Sequence, residues 1–342
     1  MLAAQLVEPG RIVMQQVSRP EAGPGEVIVE VEVALTCGTD LKTYRRGHPK
    51  FPFPYLMGHE CSGIVHEVGE GVTRFAPGQA VMVAPTAPCL TCRQCQRGFF
   101  NLCSSIMARM AHGAFAQFYR VPREVVEQNL FPRPDHVSPL RAAFLEPLAC
   151  VVQGQGRVPL QASDTVVVMG CGTIGLLHVM LAKRRGAGRI IVTGRHTERL
   201  ELARELGATD LVDVDRQDAV EAVRELTGGF GAELVIECVG RPEAWEDASA
   251  MACQGGFVLL FGGCPAGSRA SFDTGRVHYD QLTLQGAFHF TPADVRQAYD
   301  YLCQGELPVE RLISGSHSLE ELPTIIDRLD RGQGIKYAIL PQ

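Results

Sequence analysis

Apolar and polar residues alternate through Val27-Ile28-Val29-Glu30-Val31-Glu32-Val33. That is the period of a strand with one buried and one wetted face. Cys61-Ser-Gly-Ile-Val-His-Glu-Val68 and Ala80-Val-Met-Val-Ala84 read the same way, with Gly69, Gly71, Pro77 and Gly78 between them and Pro20, Gly23, Pro24 and Gly25 ahead of the first. The pattern predicts a compact, barrel-like antiparallel unit carrying long loops. Near residue 160 the texture changes. Thr165-Val-Val-Val-Met169 is a short unbroken apolar run suited to a fully buried parallel strand. A helix from Thr173 to Arg185, the strand Arg189-Ile-Ile-Val-Thr193 and a helix from Thr197 to Leu206, stopped by Gly207, follow it. Further strands are expected at 211–213, 233–237, 257–261 and 282–284, so the second half reads as a doubly wound parallel sheet. The helical stretch 292–304 and an end strand over 336–340 are expected to rejoin the first half.

Composition narrows the picture without deciding it. The chain has 342 residues, 46% of them hydrophobic, enough for two ordinary domains. A formal net charge of −6 argues against nucleic acid or an anionic membrane surface as the main partner. No apolar run is long enough for a membrane-spanning helix, and the first residues carry no basic-then-apolar leader pattern. Twelve cysteines then fit a reducing cytoplasm, where thiols serve metals or cores.

Four of those cysteines fall close together: Cys89, Cys92, Cys95 and Cys103. Thiolates so spaced can converge on one tetrahedral ion, which points to structural zinc. A disulfide knot is the weaker reading in that compartment. An iron–sulfur cluster fits worse, because the last gap is too long for the bacterial ferredoxin run and Ser104 stands where that run has proline.

Gly170-Cys171-Gly172-Thr173-Ile174-Gly175 follows one expected strand and opens the next helix, the context in which G-x-G-x-x-G binds a dinucleotide. The glycines permit a tight turn and close approach of backbone to pyrophosphate, which the helix N-terminus attracts. An NAD site usually carries Asp or Glu about twenty residues on, accepting from the ribose hydroxyls. Here that place reads Thr193-Gly194-Arg195-His196, with no carboxylate. Gly194 leaves room for a phosphate, Arg195 supplies a fork of donors for it, and Arg199 a further contact, so NADP is expected over NAD.

Cys37-Gly-Thr-Asp40 and Gly58-His59-Glu60 are expected on loops of the first domain, and Glu146-Pro147 just before the domain change. Cysteine, histidine and carboxylate together describe a metal site that keeps a position open for water or substrate. With these motifs, the four-cysteine lobe, the glycine loop and Glu237-Cys-Val-Gly240, the chain resembles the zinc-dependent medium-chain dehydrogenases/reductases of the alcohol dehydrogenase superfamily over nearly its whole length. It stands nearer the sorbitol and threonine dehydrogenase branch than the simple alcohol dehydrogenases. The resemblance implies a GroES-like catalytic domain, at 1–153 and 290–342 with the zinc lobe at 88–104, around a Rossmann domain at 154–289. It also implies a homodimer or homotetramer and two zinc ions per chain. Position by position it makes Cys37 and His59 ligands of a catalytic zinc, Glu60 a ligand or its immediate neighbour, and Glu146 a ligand directly or through water. Thr39 matches the hydroxyl that starts a proton relay. Lys42 replaces the histidine that many relatives place in that relay, and His48 is a candidate substitute.

The activity implied is hydride transfer from a secondary alcohol carbon to the nicotinamide. Substrate is less sharply marked. Phe288-His289-Phe290 stands where polyol-type relatives have an Arg-Tyr pair, which counts against sorbitol itself. The donor-rich stretch Lys42-Thr-Tyr-Arg-Arg-Gly-His48 suits a sugar, cyclitol or phosphorylated polyol, or is simply a solvated loop. The expected activity is therefore an NADP-dependent polyol, sugar or cyclitol dehydrogenase. The alternatives are a threonine-like amino-alcohol or simple secondary-alcohol dehydrogenase, and, against the full ligand set, a non-catalytic relative.

Overall fold

A computed structural model describes residues 1–47 and 51–341 of the chain. It divides into two compact units, Met1–Ala149 with Phe290–Gln342, and Cys150–His289. The first division falls inside the helix Leu145–Gly156, an element that the apolar pattern does not announce.

In the first unit the alternating segment is the hub of a seven-stranded sheet. Val27–Leu35 pairs antiparallel with Glu60–Val68 along one edge, and with Phe118–Val121 and Lys336–Leu340 along the other. Ala80–Val83, Leu130–Pro132 and Ile313–Ser318 complete the sheet, and a smaller one joins Arg11–Gln16, Leu2–Glu8 and Tyr55–Leu56. Val27, Val29 and Val31 are fully buried against Tyr119, Phe115 and Val65, which is what the period of two requires of one face. Burying each valine contributes about 1.5–3 kcal/mol. The last strand therefore does return to the first half of the chain. The helix Pro292–Gln304 belongs to this unit too, with Thr291 and Asp294 capping it reciprocally and Gly305 in the left-handed conformation ending it.

The second unit is one six-stranded sheet, every adjacent pair parallel, in the order Asp210–Asp213, Arg189–Gly194, Thr165–Met169, Ala232–Glu237, Ala252–Leu260, Thr283–Gly286. Parallel neighbours need crossovers, and the helices Thr173–Arg184, Thr197–Leu206, Ala219–Leu226 and Pro242–Met251 provide them. The fifth strand begins at Ala252, five residues before the expected start, because Ala252 pairs with Ala232 across a bulge. Winding reverses on either side of Thr165–Met169, so this strand and the turn after it mark the topological switch point where such sheets bind ligands. Among the described residues no helix is long and apolar enough to cross a membrane.

Candidate functional site

The sulfur atoms of Cys89, Cys92, Cys95 and Cys103 lie within 4.8 Å of one another. Four thiolates at zinc–sulfur distance stand about 3.8 Å apart, so this set fits a tetrahedral ion. Cys92 caps the short helix Arg93–Gln96, which carries Cys95, and the 3₁₀ turn Phe100–Leu102 leads into Cys103. Peptide N–H groups already point at the sulfurs: Cys92 donates to Cys89 Sγ and Cys89 to Cys103 Sγ, both at 3.3 Å. The Thr91 hydroxyl and the peptide donors bring Cys89 down to about 5. Donors from Cys95 and Ser104 bring Cys92 to about 7, whereas burial pushes Cys95 up to about 12.

A second group has mixed ligands: atoms of Cys37, His59 and Glu60 also converge within 4.8 Å. Their surroundings differ from the loops expected at 37–40 and 42–48. Gly38–Arg46 is a helix, and Cys37 is its N-cap. The Cys37 sulfur accepts from Thr39 N–H at 3.4 Å while the Asp40 carboxylate accepts from Cys37 N–H at 3.0 Å, a reciprocal cap that turns a polar stretch helical. The other Asp40 oxygen faces His59 Nδ1 at 3.7 Å, so one buried carboxylate both closes the helix end and orients the imidazole. His59 follows Gly58, whose φ of +89° and approach to Phe115, 2.7 Å from a notional β-carbon, admit only glycine. Glu60 opens the strand Glu60–Val68.

Glu60 is 1% exposed; its Oε1 atom has no hydrogen-bond partner, while Oε2 forms an ion pair with Lys336. Lys336 is itself 1% exposed and donates to Thr36 O at 2.8 Å. A buried carboxylate oxygen left unpaired beside a thiol and an imidazole is what a bound cation would satisfy, so these residues fit zinc. Burial raises Cys37, and the Glu60 charge raises it further. Burial opposes charge on His59, yet the hydrogen bond with Cys37 and the Asp40 carboxylate hold it well above its ordinary value. Glu146 is buried in the first turn of its helix and does not join the three converging ligands, though its charge reaches His59, Asp40 and Lys336.

At the nucleotide loop, a β-carbon on Gly175 would lie 1.8 Å from Gly170 O, so the helix can pack on the turn only with glycine there. One on Gly172, the N-cap of Thr173–Arg184, would meet no atom within 4 Å, an open approach to the helix N-terminus. Gly194 ends its strand, and the turn passes through His196 at φ 66° into the helix carrying Arg199. The direction in which a Gly194 side chain would point is filled by the Cys171 sulfur and is not open space. Arg195 is exposed and reaches Asp215 at 3.2 Å. The carboxylates missing from the end of its own strand thus appear on the neighbouring one, as Asp213 beside Gly194 in register and Asp215 beyond it.

Other expected residues scatter. Thr39 and Lys42 are exposed on the helix that Cys37 caps. Tyr44 donates to Asp327 and Arg45 pairs with Asp330, so two of the stretch's donors tie that helix to Leu322–Asp330. His48 lies outside the described residues. Phe288 is exposed, His289 has φ 59° and Phe290 is buried. Lys336 is the residue that reading the sequence missed; a lone lysine opening an apolar strand, Lys336-Tyr-Ala-Ile-Leu340, was the available signal.

Two family models match the chain: the alcohol dehydrogenase GroES-like domain over residues 23–134 and the zinc-binding dehydrogenase over residues 173–303. A sorbitol dehydrogenase of Bacillus subtilis (strain 168) is 30% identical over 334 residues, 96% of this chain and 93% of that protein. An L-threonine 3-dehydrogenase of the same organism is 32% identical over 340 residues, 96% and 95% of the two chains. The crystal structure of a zinc-binding dehydrogenase from Sinorhizobium meliloti 1021, described as putative and bound to NADP, superposes with a TM-score of 0.92 at 34% identity, covering 99% of each chain. With its GroES-like unit, parallel dinucleotide-type sheet and the ligand clusters at Cys37–His59–Glu60 and at Cys89, Cys92, Cys95 and Cys103, the chain belongs to the zinc-dependent medium-chain dehydrogenases of the alcohol dehydrogenase family, oxidoreductases acting on alcohols.

Proposed function

We propose that this protein is an NADP-preferring dehydrogenase that reversibly oxidises a secondary alcohol of a polyol, sugar or cyclitol to the ketone. The observation that carries the reading is the convergence of Cys37, His59 and Glu60 around a buried, unpaired carboxylate oxygen. In it Cys37, His59 and Glu60 hold one zinc, Glu146 stands close by, and Cys89, Cys92, Cys95 and Cys103 hold a second. When bound, the first ion supplies Lewis acidity toward the substrate oxygen. The chain's own residues do the rest: Asp40 holds the His59 ring, Lys336 holds one oxygen of Glu60, and the exposed Thr39 hydroxyl takes the alcohol proton toward solvent. The hydride leaves the alcohol carbon for the nicotinamide, so the alcohol loses one hydride and one proton.

NADP preference rests on a strand end with no carboxylate, on Arg195 beside it, and on the NADP-bound relative. The Arg195–Asp215 pair is exposed, and such pairs are worth about 0–1 kcal/mol, so a phosphate can displace it. The substrate class rests on the sorbitol dehydrogenase relative, and the threonine dehydrogenase relative favours the second reading, an amino alcohol. In this proposal the enzyme is a cytoplasmic homodimer or homotetramer, with 1–153 and 290–342 as its catalytic domain and 154–289 as its cofactor domain. Nicotinamide reduction over polyols, aldoses, cyclitols and threonine, with NADP and NAD side by side, tests it. Turnover on one hydroxyl-rich class with NADP is the expected result. Turnover on threonine alone, or with NAD alone, overturns the corresponding part.

A further inference from the structure

Position 194 is glycine for a reason the backbone does not supply. Gly194 lacks the positive φ found at many glycines of this chain, so its peptide would accept an ordinary side chain. It is buried at the end of Arg189–Gly194, where its neighbour in register is Asp213. The obstacle is Cys171, the middle residue of the glycine turn. A β-carbon on Gly194 would sit 2.4 Å from Cys171 Sγ, 3.2 Å from Cys171 Cβ and 3.3 Å from Cys171 N. The first distance lies far inside van der Waals contact. The sulfur is also tethered: Cys171 is 5% exposed and its thiol donates to Arg195 O at 3.1 Å. Arg199 acts on the same thiol from the following helix.

We infer that Cys171 is a specificity-determining residue for the nucleotide: its sulfur fills the volume a side chain at position 194 needs, and so keeps that strand end bare of the carboxylate an NAD site uses. The inference rests on, and deepens, the NADP reading. Two residues on different strands' ends act as one unit. Cys171 forbids a side chain at 194, and the thiol–carbonyl bond holds the Arg195 peptide, next to the guanidinium offered to the phosphate. Exchanging residue 194 alone then cannot convert the site, because an aspartate there must first displace the sulfur. Cys171→Ala removes the closest contact and leaves the β-carbon of residue 171 at 3.2 Å, which a shift of a few tenths of an ångström relieves.

The test measures binding and melting, both independent of turnover. Dissociation constants for NADP and NAD by calorimetry, with thermal melting of each protein, are compared for wild type, Gly194→Ala, Gly194→Asp, and each of these combined with Cys171→Ala. Gly194→Ala should melt several degrees below wild type and be restored by Cys171→Ala. Gly194→Asp should gain no NAD affinity or fail to fold, whereas Gly194→Asp with Cys171→Ala should fold and bind NAD at least about tenfold more tightly than any Gly194→Asp protein that keeps the thiol or than wild type, the worth of one charge-assisted hydrogen bond. Gly194→Ala melting like wild type would overturn the inference. So would Gly194→Asp converting as fully alone as in the pair, or a folded pair gaining no NAD affinity. Wild type binding NAD more tightly than NADP would instead remove the NADP reading, while the Gly194→Ala melting pair would still decide the role of Cys171.

Discussion

The four-cysteine lobe and the Cys37–His59–Glu60 cluster use related ligand chemistry in one structural unit, under opposite electrostatic conditions. In the lobe, a threonine hydroxyl and peptide N–H groups point at the sulfurs, and Cys89 is brought down to about 5 without help from any charged side chain. At Cys89 and Cys92 the thiolate form is thus favoured by neighbouring hydroxyl and peptide donors. In the mixed cluster desolvation and the Glu60 charge push the Cys37 thiol up, and the compensating cation, Lys336, comes from a strand 300 residues beyond Thr36. A site whose thiolates are favoured by donors within the same short loop suits a closed, structural ion. One whose charge balance is assembled from distant strands, with a carboxylate oxygen unpaired, suits an ion that exchanges partners during a reaction.

Substitutions at the two clusters should separate these roles. Cys37→Ser should lower turnover at least about a thousandfold, since several kcal/mol of Lewis-acid stabilisation go with the ion. Its melting temperature and its nucleotide affinity should stay near wild type; a nearly full rate would erase the distinction between the clusters. Lys336→Met leaves Glu60 buried without its counter-charge, so the zinc-free protein should lose about 3 kcal/mol in chemical denaturation. The loss should shrink when zinc is present, because the ion takes over the partnership. Equal losses with and without zinc would mean that Glu60 does not face the metal.

Cys95→Ser should destabilise by about 2 kcal/mol, read as a melting temperature about 4–8 °C lower, with residual activity per folded molecule preserved. Activity lost with unchanged melting would move the lobe into the chemistry. The smallest effect is expected from Asp40→Asn, which keeps the helix cap but weakens the hold on His59. Zinc measured after dialysis against a chelator should be retained about ten- to hundredfold less tightly at the mixed cluster. No change there would leave Asp40 with only the helix end to serve.

The helices Ala219–Leu226, Pro242–Met251 and Thr274–Tyr279 were not expected, but the strands of the second unit and the helices Thr173–Arg184 and Thr197–Leu206 were legible as short apolar or amphipathic runs, several of them bounded by glycine. Thr165–Met169 and Thr197–Leu206 have the expected limits. The helix Gly38–Arg46 was not. Only Leu41 and Tyr44 are apolar in it, so it shows no helical period, and its start signal is a cysteine sulfur where serine or aspartate would be expected. The cysteine spacing and the Gly58-His59-Glu60 run brought the right residues to notice, since metal ligands must be of few types. What no local pattern carries is pairing across the fold. Lys336 meeting Glu60, Tyr44 meeting Asp327 and Cys171 filling the place beside Gly194 depend on strand order and register, which exist only once the sheets form.

The bond from Lys336 to Thr36 spans 300 residues, and it lies beside the ion pair with Glu60. During synthesis Cys37, His59 and Glu60 leave the ribosome first, and every residue of the second unit is made before Lys336 exists. Until then the chain lacks the ammonium that pairs with Glu60 in the folded protein. Pairing of Lys336–Leu340 beside Val27–Leu35 then brings the ammonium to Glu60. The charge balance of the Cys37–His59–Glu60 cluster is thus complete only once the strand Lys336–Leu340 has joined the sheet.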